Sequence, residues 1–130
     1  MADILIIEDE APIQQLLKRM IGNMGHNIMF ASDGAAGYKL VQENHFDIIL
    51  SDLLMPGKPT GMDLVRMIKT TKPEVAVIIV SGHPSNEALN ECRKLGITDF
   101  LSKPFEMSFV RTVVQNILQR KTPVSGNTDA

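Results

Sequence analysis

Ile4-Leu-Ile-Ile-Glu-Asp-Glu-Ala-Pro12 is an apolar run that stops on acids and then meets a proline. Ile4 to Ile7 carry no polar alternation, so the run reads as a short strand covered on both faces, as in a parallel sheet. Pro12 suits the first turn of a helix, where its missing N–H has no partner to lose. Ile13, Leu16, Leu17, Met20, Ile21 and Met24 then recur at helical spacing, and the helix is expected to end near Gly25. The unit is strand, acidic turn, helix.

The same unit recurs outward from this stretch. Further strands are expected at Ile28 to Ala31, Asp47 to Leu50, Val75 to Val80 and Asp99 to Leu101. Helices are expected from Asp33 to Glu43, Met62 to Lys69 and Ser85 to Leu95, with Gly96 as a stop, and from about Glu106 onward. In the last helix Val110, Val113, Val114, Ile117 and Leu118 form the apolar face, leaving Arg111, Gln115 and Gln119 to water. Five β-then-α units predict an α/β fold, a single doubly wound (βα)5 domain with a parallel five-stranded sheet. Residues 1–120 form that domain, and 121–130, rich in Pro, Gly and small polar residues, read as a flexible tail or linker stub.

Composition removes several function classes. A length of 130 residues fits one core, and 44% hydrophobic with 22% charged residues excludes general disorder. The apolar runs are too short for a bilayer, and Met1-Ala-Asp3 does not open a secretory signal, so a cytoplasmic location is expected. A net charge of −2 without a basic cluster argues against a direct nucleic-acid surface. The lone Cys92 has no internal disulfide partner and lies near Ala88, Leu89 and Leu95 at helical spacing, which predicts a packed thiol. His26, His45 and His83 lack metal-ligand spacing and read as surface or loop residues.

The chemistry gathers at the strand ends. Glu8 and Asp9 follow the first strand, Asp52 the third, Ser81-Gly82 the fourth and Lys103 the fifth. In an open parallel sheet the carboxyl ends of the strands share one edge, where ligands bind. An acidic pair alone is as well explained by a solvated turn. Asp52 changes that balance, because three carboxylates at one point repel one another and call for a cation. An all-oxygen donor set suits Mg²⁺ better than zinc. A carboxylate beside such an ion can attack a phosphoryl group, since the ion offsets the repulsion between two anions. Ser81 offers a hydroxyl to a phosphoryl oxygen, Gly82 permits close backbone approach, and Lys103 adds a compact positive charge.

Ile7-Glu-Asp-Glu10, Asp52-Leu-Leu-Met-Pro-Gly57, Val80-Ser-Gly82 and Asp99-Phe-Leu-Ser-Lys-Pro-Phe105 occur together in this order, and with them the chain resembles the response-regulator receiver domains, also called CheY-like. The resemblance extends to about Arg120. It implies a flavodoxin-like sheet of order 2-1-3-4-5 and a phosphoacceptor switch in a two-component phosphorelay. Asp52 would accept a phosphoryl group from a sensor histidine kinase or phosphotransfer protein. Glu8, Asp9, Asp52 and the Leu54 carbonyl would hold Mg²⁺ or Mn²⁺, and Ser81 and Lys103 would bind phosphoryl oxygens. Ser81 and Phe100 would form the switch, acting on the face made by the fourth helix, fifth strand and fifth helix, used for partner docking or homodimerisation. Leu54 and His83 occupy positions that set phosphoryl lifetime. Such a domain is no enzyme beyond its own phosphorylation and dephosphorylation.

Some residues depart from the family pattern. Lys58-Pro-Thr60 puts three residues between Gly57 and Gly61 where the family often has two, which predicts a reshaped loop before the third helix. Glu8 stands where aspartate is commoner, and Phe100 lacks a tyrosine hydroxyl. Two other classes compete with the switch. An aspartyl-phosphate phosphatase of the dehalogenase-like kind wants an acid two residues after its nucleophile, where this chain has Leu54. A nucleotide-binding module wants a glycine-rich loop after the first strand, and Glu8 to Pro12 contains no glycine. A degenerate receiver, serving only as a constitutive interaction module, is disfavoured by the joint presence of Asp9, Asp52, Ser81 and Lys103. The Lys103–Pro104 isomer is open at this level.

Overall fold

The computed structural model describes residues 2–55, 57–59, 61–82 and 84–121. Five strands alternate with five helices: β1 Asp3–Ile7, α1 Ala11–Gly22, β2 Asn27–Ala31, α2 Gly34–Glu43, β3 Ile48–Asp52, α3 Gly61–Thr71, β4 Ala76–Ser81, α4 Asn86–Lys94, β5 Asp99–Ser102 and α5 Met107–Lys121. The strands form one parallel sheet of order β2-β1-β3-β4-β5. This is the CheY-like α/β fold expected from the alternation and the resemblance.

The absence of polar alternation has a direct structural cause. Ile4, Ile6, Ile48, Leu50, Ile78 and Val80 face a core closed by Leu17, Met20 and Ile21 of α1 and Val110, Val114 and Ile117 of α5. The intervening Leu5, Ile7, Ile49, Val77 and Ile79 face a second core with Val41 of α2, Leu64, Val65 and Ile68 of α3 and Cys92 of α4. Successive side chains point to opposite faces of a strand, so the central strands β1, β3 and β4, covered on both sides, have almost no position for a solvated residue. Each fully buried isoleucine or leucine contributes about 2 kcal/mol from the area removed from water. Cys92 is buried, in keeping with the packed thiol expected from its helical neighbours.

Local chemistry sets the helix ends. The Asp33 carboxylate accepts from the Ala36 N–H at 2.8 Å at the start of α2, and the Ser85 hydroxyl accepts from the Ala88 N–H at 3.1 Å at the start of α4. Both are N-caps, one residue outside the helices that the sequence placed from Asp33 and Ser85. Helix α1 stops at Gly22, before the expected Gly25, because residues 23–25 tighten into a turn. In it the Met24 N–H bonds to the Ile21 carbonyl and the Gly25 N–H to the Gly22 carbonyl, both at 3.0 Å, and Gly25 closes it at φ 87°. Met24 still rests against the α1/α5 core. Of the tail expected over 121–130, Lys121 instead closes α5, and 122–130 lie outside the described residues. Among the described residues no helix is long and apolar enough to cross a membrane.

Candidate functional site

Register decides which strand ends meet. Ile7 of β1 pairs with Ser51 of β3, so Glu8 and Asp52, one residue further on, reach the same level on the two central strands. Ser81 of β4 pairs with Ser102 of β5, which sets Lys103 just past the same edge. The Lys103 N–H donates to the Ser81 carbonyl at 3.1 Å, extending the ladder by one rung. Four residues scattered over the sequence therefore share one end of the sheet.

Glu8, Asp9 and Asp52 each present a carboxylate oxygen within 4.8 Å of the others. Glu8 and Asp52 are buried, at 1% and 3% exposure, while Asp9 faces solvent. Lys103 answers this negative charge. Its Nζ donates to Asp52 Oδ2 at 2.7 Å and lies 3.4 Å from Glu8 Oε1 and 3.6 Å from Glu10 Oε1. The other Asp52 oxygen, Oδ1, accepts the Leu54 N–H at 3.0 Å, which fixes the carboxylate plane. Ser81 is also buried, whereas Leu54 is 79% exposed. Phe100 is half-buried against the core on the α2/α3/α4 side. The Lys103–Pro104 peptide bond is cis. His83 lies outside the described residues.

The electrostatics follow from burial. Removal from water pushes the Glu8 carboxyl up from 4.5 to about 7, the Glu10 N–H bond opposes this, the Asp52 charge adds to it and Lys103 opposes it. Burial lowers the Lys103 ammonium, but its bond to Asp52 and the charges of Asp52 and Glu8 reverse that and raise it. Lys103 is thus a fixed cation, and Glu8 is an acid short of positive charge. Its Oε2 accepts the Glu10 N–H at 3.1 Å, but buried Oε1 has no hydrogen-bond partner, the 3.4 Å approach of Lys103 being an ion-pair contact only. An orphaned buried carboxylate oxygen beside two further carboxylates fits a hard divalent cation, and the all-oxygen set matches Mg²⁺ or Mn²⁺.

Sequence reasoning missed two neighbours. Glu10 contributes a carboxylate to Lys103, and its place in the same acidic run was the available signal. Gln14, one turn into α1, donates its side-chain amide to the Glu8 carbonyl and lies 3.3 Å from the Ser32 hydroxyl, bridging the β1 and β2 ends. Nothing in the sequence pattern marked it. His26 accepts the Ala2 N–H at 3.0 Å and His45 is 3.3 Å from Asp47, so neither joins the acidic cluster.

Comparison with known proteins agrees with this geometry. The response regulator receiver domain family matches residues 4–115. A receiver domain protein from Clostridium thermocellum is 33% identical, with a TM-score of 0.84 over 93% of this chain and 97% of that one. The receiver domain of the Francisella response regulator 1452 is 28% identical, with a TM-score of 0.83 over 94% of this chain and all 100% of that one. Among curated relatives, the DNA-binding transcriptional regulator NtrC of Azospirillum brasilense is 26% identical over 94% of this chain, and the transcriptional regulatory protein RprY of Bacteroides fragilis is 29% identical over 90%. The chain spans only 25% of the former and 49% of the latter. Matched over nearly its whole described length, and carrying the acidic pocket and lysine at the strand ends, the chain belongs to the response regulator receiver domain family.

Proposed function

We propose that the chain is the phosphoacceptor of a two-component phosphorelay, with Asp52 receiving the phosphoryl group from a phosphohistidine of a sensor kinase or phosphotransfer protein in the cytoplasm. One observation carries this reading: the buried Asp52 carboxylate lies 2.7 Å from the Lys103 ammonium and within 4.8 Å of the Glu8 and Asp9 carboxylates. An Asp52 oxygen attacks phosphorus, forming a P–O bond as the P–N bond to the donor imidazole breaks, and the imidazole leaves with the electron pair. Glu8, Asp9, Asp52 and the Leu54 carbonyl are the cation ligands in this proposal. Bound Mg²⁺ or Mn²⁺ supplies charge neutralisation between nucleophile and phosphoryl group. Lys103 and the Ser81 hydroxyl take the phosphoryl oxygens, and Leu54 and His83 influence how long the group persists.

Phosphorylation then acts as a population shift, because the new charge favours whichever arrangement of Ser81 and Lys103 holds it better. Phe100 follows Ser81 in the switch. The α4-β5-α5 face carries the change to a downstream protein, an output domain or a second copy. In this proposal the receiver unit ends with α5 at Lys121, and 122–130 are a tail or linker.

The test is intact mass after incubation with acetyl phosphate, with and without Mg²⁺, for the native chain and Asp52→Ala. The expected result is one added phosphoryl group that requires both Mg²⁺ and Asp52. A native chain that stays unmodified with acetyl phosphate and with a phosphorylated histidine kinase would overturn the reading in favour of a constitutive interaction module.

A further inference from the structure

Gly34 is the first residue of α2 and is buried, yet nothing in its backbone asks for glycine. The positive-φ glycines are Gly25, Gly57, Gly61 and Gly96, and Gly34 is not among them. In helical backbone an alanine is worth about 0.5–1 kcal/mol more than a glycine, so conformation alone favours alanine here. The reason is contact. A Cβ on residue 34 would overlap the Pro59 carbonyl oxygen and lie 2.8 Å from its carbon, with Leu64 Cδ2 at 3.4 Å. By contrast, the nearest atoms to a Cβ at Gly37 belong to the Ile7 side chain. A side chain can turn aside, whereas a carbonyl held in a loop moves only if the loop does.

That loop joins Asp52 to α3 and carries the additional residue between Gly57 and Gly61. Its base is pinched, since a Cβ on Gly61 would lie 3.3 Å from the Leu53 carbonyl oxygen. Its first residues are tied to the site through the Leu53 N–H on the Val80 carbonyl at 3.2 Å and the Leu54 N–H on Asp52. On the other side, the Glu8 N–H bonds to the Ala31 carbonyl at 3.0 Å, three residues before Gly34. The connections close a ring: Glu8 to the end of β2, to Gly34, to Pro59, to Leu54, to Asp52. Gly34 is the point at which the ring tolerates no side chain.

We infer that Gly34 is a positioning residue for the acidic site, seating the Asp52–α3 loop so that residue 54 and the Asp52 carboxylate are held in place for a divalent cation. The inference rests on the proposed role of Glu8, Asp9 and Asp52 as cation ligands. Groups that orient ligands without touching the metal typically cost about ten- to a hundredfold in affinity when altered. Gly34→Ala is expected at the lower end, about tenfold.

The experiment is a Mn²⁺ titration by electron paramagnetic resonance, with Mg²⁺ competition, on the full chain in the absence of phosphodonor. The variants are Gly34→Ala, Pro59→Gly, their double variant, Asp9→Asn and Val114→Ala, each checked for folding by thermal denaturation in chelator. Pro59→Gly keeps the carbonyl but frees the backbone that holds it against Gly34, and it leaves α2 untouched, so it tests the seating of the loop alone if Gly34→Ala does not fold. Val114→Ala opens a cavity in the α1/α5 core and separates lost stability from lost positioning. The expected result is tight Mn²⁺ binding abolished by Asp9→Asn, weakened by Gly34→Ala and by Pro59→Gly, weakened no further by the double variant, and unchanged by Val114→Ala. Folded Gly34→Ala and Pro59→Gly chains that bind like the native one would overturn the inference while leaving the site reading intact, and additive losses in the double variant would overturn the shared contact. Native binding that is absent, or insensitive to Asp9→Asn, would overturn the site reading and the inference with it.

Discussion

Lys103 Nζ holds Asp52 Oδ2 at 2.7 Å across 51 residues of sequence, and the same ammonium lies 3.4 Å from Glu8 Oε1 and 3.6 Å from Glu10 Oε1. Removing it leaves acids at the end of the sheet with no counter-charge. Breaking a buried pair from one side costs about 3–5 kcal/mol, and with Lys103 still partly exposed the expected loss for Lys103→Met is about 2 kcal/mol. The loss should be larger at pH 8 than at pH 5, where Glu8 can take a proton. Urea denaturation in chelator at both pH values measures it, and a pH-independent loss would contradict the electrostatic account.

Glu8 titrates in the opposite sense to a salt-bridged acid. Its carboxyl is raised from 4.5 to about 7, so the folded chain binds a proton that the unfolded chain has already released between those values. Stability should therefore fall as pH rises from about 4.5 to 7, with a single-group penalty of up to about 3 kcal/mol present in full above that range. The difference between native and Glu8→Gln chains in chelator isolates this group. Parallel stability curves for the two would show that Glu8 is not the strained acid.

Ser51 neighbours Asp52 in β3, yet its side chain points to the other face of the sheet, and its hydroxyl oxygen is buried with no hydrogen-bond partner. A buried unpaired hydroxyl carries a desolvation cost without return. Ser51→Ala should be neutral or stabilising by about 1 kcal/mol, read from the denaturant midpoint. A clear loss of stability would mean that the hydroxyl is satisfied.

Cys92 is 1% exposed, and burial followed by the Glu91 charge pushes its thiol up. The thiolate is the reactive form, so both effects protect it. Alkylation by iodoacetamide at pH 8 should be slow in the native chain and accelerate with urea along the unfolding transition. Labelling of the folded chain at the rate of a free cysteine would disprove the packing.

The alternation of strand and helix was legible because apolar runs such as Ile4 to Ile7 and Ile48 to Leu50 face two cores and leave no polar residue to blur the pattern. The convergence of Glu8, Asp52, Ser81 and Lys103 was legible for the same reason, since parallel strands deliver their carboxyl ends to one edge. The contacts made across that edge were not. Gln14 reaching the Glu8 carbonyl, and Glu10 lying beside Lys103, depend on side-chain direction after a turn, which spacing does not encode. The end of α1 at Gly22 escaped because Asn23 keeps near-helical dihedrals, and the chain leaves the helix only over the turn that Gly25 closes at positive φ. Nothing in the sequence around Gly34 marks the Pro59 carbonyl that leaves no room for a side chain there.

The hydrogen bond from the Lys103 N–H to the Ser81 carbonyl makes one main-chain joint out of the two residues proposed to bind the phosphoryl oxygens. Backbone displacement at either one is delivered to the other. A sequence change that shifts β4 against β5 therefore retunes hydroxyl and ammonium together, whereas substitution of the Ser81 or Lys103 side chain alters one hand of the grip at a time.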